Sequence, residues 1–334
     1  MIILGIETSC DETGVAILEL PAKKILFEKI SSQVEIHKKT KGIVPEVASR
    51  MQAEALPLLI EQAKKIKPLN QVDYFAVANS PGLLGSLLCG VNFAKILGFV
   101  YQKPIIPVNH LLAHFYSPLI TEPIDKLKFP ALGLIVSGGH TLLIYAYAQN
   151  HIQVIGETRD DAAGEAFDKT ARLLNLGYPG GPAIEKSASK IKKTRSKFTP
   201  PMLKTNDFDF SFSGLKTEVL RKVKQINNLT LNLQRELAFA VQKAIITSLI
   251  EKTFLAVAKL QPKTFLLGGG VAANSTLREN IRQRIGQLLP KKQILIPEKK
   301  YTGDNATIVA LAAWFLKNQN QPWYSIKAES ENTL

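Results

Sequence analysis

Two histidines, His110 and His114, stand four residues apart just after a strand-like run at 104–109. Neutral imidazoles at that spacing fall on one face of a helix, close enough to share a metal ion. The chain has only 5 histidines, so the pair stands out, although the same spacing occurs on ordinary helices. Other residues with chemistry lie far away in sequence. Ser137-Gly138-Gly139-His140-Thr141 and Gly268-Gly269-Gly270 are glycine turns whose backbone N–H groups can approach a phosphate or carboxylate. Asp11 and Glu12 occupy a polar turn running from Thr8 to Thr13, where turn residues are common anyway. Asp168 can accept from ribose hydroxyls or serve as a salt-bridged surface acid. Asp304 precedes an apolar helical run and can act as its N-cap, or complete a set of two imidazoles and one carboxylate suited to Fe(II) or Zn(II).

These residues need a scaffold, and the hydropathy pattern supplies one. Apolar β-prone runs at 2–7 and 14–18 flank the first polar turn, which makes a strand–turn–strand unit. The same plan returns about 130 residues later, with runs at 131–136 and 142–148 around the Ser-Gly-Gly turn. Residues 43–67 read as an amphipathic helix entered through Val44-Pro45 and closed by Pro68. Strands are expected at 72–78, 105–108 and 264–267, and long helices at 233–259 and 307–316. A strand, a glycine triplet and then a helix is a geometry that seats a nucleotide at a helix N-terminus. Gly177-Tyr178-Pro179-Gly180-Gly181-Pro182 reads as a rigid loop able to present backbone to a ligand. Phe208, Phe210 and Phe212 fall at period two, as in a half-buried strand, and read as core rather than as base-stacking residues beside Lys204 and Lys216.

The helix expected over 82–101 is apolar enough to pass for a membrane span, but Asn92, Lys95 and its glycines favour a buried helix. Ser86, Gly90, Ala94 and Gly98 recur every four residues along it, a ridge that serves either internal packing or contact with a partner protein. Lys and Arg total 42 against 28 acids, a net charge of +14, which favours a polyanionic partner such as nucleic acid. The excess is clustered: 11 basic residues against 3 acidic ones lie between Lys186 and Lys224. Two cysteines, Cys10 and Cys89, form neither a disulfide framework nor a paired metal motif, and no signal peptide is visible. A cytoplasmic protein with no membrane partner is the expectation.

Two strand–turn–strand units with a later glycine triplet resemble the duplicated α/β lobes of the actin-like superfamily (ASKHA, RNase H-like), built around a nucleotide cleft. Within it, the chain resembles the bacterial TsaD family of tRNA threonylcarbamoyladenosine transferases. The matching residues are Gly5-Ile6-Glu7-Thr8-Ser9-Cys10-Asp11-Glu12-Thr13, His110 with His114, and Ser137-Gly138-Gly139-His140-Thr141. They continue through the stretch from Asp161 to Lys169, Tyr178-Pro179-Gly180-Gly181-Pro182, and Phe212-Ser213-Gly214-Leu215-Lys216-Thr217. Gly268 to Asn274 and Gly303-Asp304-Asn305 complete the series, in family order.

The resemblance implies lobes over 1–108 and 109–304, with the C-terminal helix 305–334 returning to the first. It implies transfer of a threonylcarbamoyl group from threonylcarbamoyl-AMP to N6 of the adenosine 3′-adjacent to the anticodon, in tRNAs reading ANN codons, with release of AMP. His110, His114 and Asp304 would hold one divalent metal per subunit, iron by family assignment, with zinc as the alternative. Ile135, Val136, Ser137, Gly138, Gly139, Asp168, Gly181, Glu185 and Asn274 would contact the carbamoyl-adenylate. In archaeal and eukaryotic relatives a tyrosine before the Ser-Gly-Gly loop has been placed at the metal, whereas Ile135 stands here, so no fourth protein ligand is expected. The resemblance also implies helpers: an inactive TsaB-type paralogue, for which the helices at 44–67 and 82–101 are the expected contact, and a small TsaE-type ATPase.

An activated mixed anhydride needs no serine or cysteine nucleophile; the site has to orient N6, stabilise charge on the carbamoyl oxygen and accept a proton, a role open to Asp11 or Glu12. Three rival functions can be weighed. A metallopeptidase helix needs a glutamate beside the first histidine, and Leu111 occupies that position. A sugar-kinase-type phosphotransferase would share the nucleotide cleft but has no use for the histidine pair. A non-catalytic nucleic-acid-binding module would account for the charge alone.

Overall fold

The computed structural model describes residues 1–40, 42–149, 151–203, 205–331 and 334; Lys204 lies outside them. It divides into two compact units, Met1–Glu122 with Lys300–Leu334, and Pro123–Lys299.

The first unit opens with β1 (Ile2–Glu7), β2 (Glu12–Glu19) and β3 (Lys24–Ser32), an antiparallel meander. After α1 (Val34–Thr40) and α2 (Pro45–Ile66) come β4 (Tyr74–Ser80), α3 (Leu84–Tyr101) and β5 (Ile105–Asn109). β1 pairs parallel with β4 and β4 with β5, so the five-stranded sheet runs β3-β2-β1-β4-β5. α4 (His110–Tyr116) follows β5 directly.

The second unit repeats the plan. β6 (Ala131–Val136), β7 (Thr141–Ala148) and β8 (His151–Glu157) form a meander, followed by α5 (Ala163–Leu173), α6 (Gly180–Ala188), α7 (Ser213–Lys224) and α8 (Leu231–Leu260). Then β9 (Thr264–Gly268), α9 (Ser275–Arg284) and the short β10 (Ile294–Leu295) complete a five-stranded sheet of order β10-β9-β6-β7-β8. Read from its other edge, this is the order of the first sheet, with β6 in the place of β1 and β9 in that of β4. Such a mixed α/β duplication is the actin-like, ASKHA-type architecture.

α10 (Ala306–Phe315) belongs to the first unit and lies across β1 and β2. Gly5 and Gly14 permit that approach: a Cβ at Gly5 would sit 2.5 Å from the Ala306 carbonyl oxygen, and one at Gly14 2.9 Å from the Ala306 nitrogen. The division falls after Glu122 and Lys299 rather than after residue 108, because α4 packs on α10 as well as on β5. His110, His114 and Asp304 are therefore in the first unit, not in the second.

Three local expectations differ from the structure. The Phe208–Phe212 stretch makes only an isolated parallel bridge between Thr158 and Phe210. The Asp160 carboxylate accepts the Phe212 and Ser213 N–H groups at 2.7 and 3.2 Å, which turns the chain into α7. Phe210 and Phe212 are still buried, as core. The glycine-rich loop gives way to α6 already at Gly180. α3 is long and apolar enough to cross a membrane by length and composition, yet only 39% of it is buried. Its small residues Ser86, Gly90, Ala94 and Gly98 face inward, where a Cβ at Gly90 would meet Thr8 Oγ1 at 2.3 Å. Leu84, Leu88, Ile96, Phe99 and Val100 face outward. Leu87, Val91 and Leu97 are buried along with the small residues, so one face of α3 is covered and the other is not.

Candidate functional site

α4 starts at His110 because the Asn109 side chain caps it, accepting from Leu111 N at 2.9 Å and Leu112 N at 3.3 Å. One helical turn then sets the two imidazoles edge to face, with centroids 4.6 Å apart and planes at 81°. Both histidines are buried. Asp304 does not cap α10. Asn305 takes that role, its side chain accepting from Ile308 N at 3.1 Å. The Asp304 carboxylate instead meets the histidines, with Oδ1 3.1 Å from His114 Nε2 and 3.5 Å from His110 Nε2. One donor atom from each of the three lies within 4.8 Å of the others.

This group fits a metal. Metal–ligand arms of about 2.0–2.1 Å meeting at tetrahedral angles put donor atoms roughly 3.3–3.4 Å apart, a spacing that the nitrogen–oxygen distances of 3.1 and 3.5 Å here bracket. Burial lowers the His114 pKa, so that imidazole is neutral, the form a metal takes. Burial also disfavours the charged form of His110, but Glu7 and then Asp304 outweigh it and hold its pKa at about 9.

A pH dependence of the metal-free protein follows. A histidine raised on folding contributes stability that is fully present below its unfolded value of about 6.5 and is lost as pH rises through about 9. His114, shifted the other way, acts below that window. The melting temperature of chelator-treated protein is expected to fall across this interval, and His110→Gln is expected to flatten the fall; thermal unfolding followed by circular dichroism checks both.

The turn from Thr8 to Glu12 leaves the end of β1 and is held from behind by Gln52 of α2. Its Nε2 lies 2.8 Å from the Cys10 carbonyl oxygen and 3.4 Å from those of Thr8 and Glu12. Asp11 and Glu12 are half-buried. Burial pushes the Glu12 carboxyl up to about 7, against the Ser32 hydroxyl that donates to it at 2.8 Å. Burial, and then the Asp304 charge, raise Asp11 as well.

In the second unit, β6 and β9 run parallel, so their carboxyl ends bring the two glycine turns together. Gly269 has φ +88°, and a Cβ there would sit 2.3 Å from the Val136 carbonyl oxygen. Ile135 and Val136 are fully buried, which leaves their backbone as the part able to meet a ligand. Ser137 closes the turn through its N–H to the His140 carbonyl at 2.8 Å, while space stands open at Gly138 and Gly139. Asp168 Oδ1 accepts the Gly180 N–H at 2.7 Å, tying α5 to the start of α6, and Gly181 beside it is also open. Glu185 Oε1 accepts the Ser275 N–H at 2.8 Å, and Asn274 caps α9 at Leu277 N. Asp168 thus lies with Gly181, and Glu185 with Asn274.

Several supporting residues escape a reading of sequence alone. Glu7 is a fully buried acid ending an apolar strand, and Gln52 is a polar residue on the buried face of α2; each breaks its local pattern, which is the available signal. Gln242, which accepts from Asn274 Nδ2 at 2.9 Å, is signalled in the same way within α8.

Two repeated α/β units, one bearing glycine turns at adjacent strand ends and the other a His-His-Asp group with buried histidines, define an actin-like fold with residues that could hold a metal. A family model described as "TsaD: tRNA N6-adenosine threonylcarbamoyltransferase" matches residues 24–311, and the chain belongs to that family. It is 44% identical over 321 residues to the tRNA N6-adenosine threonylcarbamoyltransferase of Thermosipho africanus, covering 95% of this chain and 94% of that one. The enzyme of the same description from Enterococcus faecalis is 40% identical over 333 residues, covering 98% and 94%. Among solved structures, T. kodakarensis HypF aligns with a TM-score of 0.61 at 14% identity, over 94% of this chain and 46% of that one, which shows a shared fold.

Proposed function

We propose that this protein transfers the threonylcarbamoyl group from threonylcarbamoyl-AMP to N6 of the adenosine 3′-adjacent to the anticodon, in cytoplasmic tRNAs reading ANN codons. The observation that carries this reading is the match to one transferase family across residues 24–311, with the His110, His114 and Asp304 group within it.

The chemistry follows from the residues. N6 attacks the carbamoyl carbon, a new C–N bond forms, the bond from that carbon to the phosphate oxygen breaks, and AMP leaves. Backbone N–H groups of Gly138 and Gly139 hold the anionic part of the adenylate, with Ser137 and the Ile135 and Val136 backbone beside them. Asp168, Gly181, Glu185 and Asn274 position its nucleoside. Glu12, with a carboxyl near 7, takes the N6 proton, because a base is most effective when its pKa lies near the working pH. Asp11 is the alternative base. His110, His114 and Asp304 hold one divalent cation, which we read as iron, since two imidazoles and a carboxylate with open positions suit Fe(II). When bound, the metal supplies Lewis-acid charge to orient and polarise substrate.

The basic segment between Lys186 and Lys224 is the tRNA-binding surface in this proposal. Lys190, Lys192, Lys193, Arg195 and Lys197 are exposed along it. Removing one cation that neutralises a phosphate makes the dependence of log affinity on log salt shallower by about 0.7–0.9. Charge reversal at Lys192, Lys193 and Arg195 is expected to weaken tRNA binding and flatten that slope; filter binding at several salt concentrations checks it, and unchanged binding would place the tRNA on another surface. For a TsaB-type paralogue, the outward face of α3 is the docking surface we favour, through Leu84, Leu88, Ile96, Phe99 and Val100 rather than the inward small residues. A TsaE-type ATPase completes the proposed assembly.

The proposed activity is tested with threonylcarbamoyl-AMP labelled in its threonine and unmodified tRNA. Label entering tRNA with one AMP released per modified adenosine supports it. AMP released without labelled tRNA refutes it.

A further inference from the structure

Glu7 ends β1 as a fully buried carboxylate with two partners. Its Oε1 accepts the Ser9 backbone N–H at 2.6 Å, and its Oε2 lies 3.0 Å from His110 Nδ1. The Ser9 hydroxyl is 3.1 Å from the same nitrogen. The other ring nitrogen of His110 points at Asp304. A metal-bound imidazole keeps one N–H, and its position is set by what the second nitrogen meets. A carboxylate accepts and does not donate, so the one proton a metal-bound His110 keeps belongs on Nδ1, and Nε2 is the nitrogen left to face Asp304 and His114.

We propose that Glu7 is a positioning residue that fixes the His110 tautomer and ring orientation for metal binding. This rests on the reading that His110, His114 and Asp304 hold one cation. Glutamine at position 7 separates shape from chemistry. The Ser9 N–H can only donate, so the amide oxygen of the glutamine turns to it and the NH₂ group faces His110 Nδ1. That nitrogen must then accept, the proton moves to Nε2, and the ligand atom is lost.

The test uses zinc alone as the probe. Glu7→Gln is expected to bind zinc about 10–100-fold more weakly than wild type, the usual cost of removing an outer partner of a metal-bound histidine, in competition against a chromophoric chelator. Ser9→Ala is expected to lose less. In the zinc-loaded wild-type protein labelled with ¹⁵N-histidine, His110 should show a protonated Nδ1 and a zinc-shifted Nε2; this readout stands even where Glu7→Gln does not fold. Undiminished zinc affinity in Glu7→Gln, a larger loss in Ser9→Ala, or zinc on His110 Nδ1 would each overturn the proposal while leaving the metal group in place. Wild-type protein that takes up no zinc would overturn both.

Discussion

The Glu12→Gln protein is expected to transfer threonylcarbamoyl about 10²–10⁴-fold more slowly than wild type, the range for losing a positioned general base. Glu12 begins β2 at the end of the Thr8–Glu12 turn, with one carboxylate oxygen taken by Ser32 and the other, Oε2, buried and without a hydrogen-bond partner among the described residues. Burial raises its carboxyl to about 7, so in wild type the base is half protonated near neutral pH. The single-turnover rate should rise with pH through about 7 and level off above it; in Glu12→Gln that limb should be gone. A variant that keeps both rate and limb removes Glu12 from the reaction. Asp11→Ala serves beside it, since its turnover decides whether the neighbouring acid carries any of the proton transfer.

Asp304→Asn is expected to cost more than about 100-fold in metal affinity, beyond what an outer partner contributes. The amide keeps the shape of the side chain but removes the anionic oxygen between His110 Nε2 and His114 Nε2. A second effect has a definite sign. The Asp304 charge raises both Asp11 and Glu12, so both carboxyls should titrate at lower pH in the variant, followed by ¹³C NMR of the metal-free protein. Metal retained at wild-type affinity would take Asp304 out of the ligand set.

The histidine pair was legible because helical spacing alone puts residues four apart on one face. Asp304 was legible only as two alternatives, a helix cap or a third ligand, and only the folded chain shows that the neighbouring Asn305 reaches Ile308 N and takes the capping role. Glu7 breaks the apolar pattern of its strand, but its role was not legible: its partner lies 103 residues away, and no local pattern encodes that pairing. The repeated strand–turn–strand units were readable from alternating apolar runs, whereas β3, an edge strand with an exposed, charged pattern, carries little hydropathy signal. Period two at Phe208, Phe210 and Phe212 identified core residues but not their backbone, which Asp160 redirects into a helix. The apolar character of α3 was evident, but composition does not say which face is covered, since both faces carry large apolar residues; the folded chain shows it, with Thr8 against Gly90.

The central claim is that the His110, His114 and Asp304 group serves threonylcarbamoyl transfer to tRNA. Its most direct measurement is the initial rate at which labelled threonine passes from threonylcarbamoyl-AMP to unmodified tRNA, with wild type and His110→Ala side by side and the metal content of each determined. Wild type, supplied with its proposed partner proteins, should label the tRNA and carry one metal per chain; His110→Ala, folded to the same extent, should carry none and leave the tRNA unlabelled. Equal labelling by the two proteins would contradict the claim.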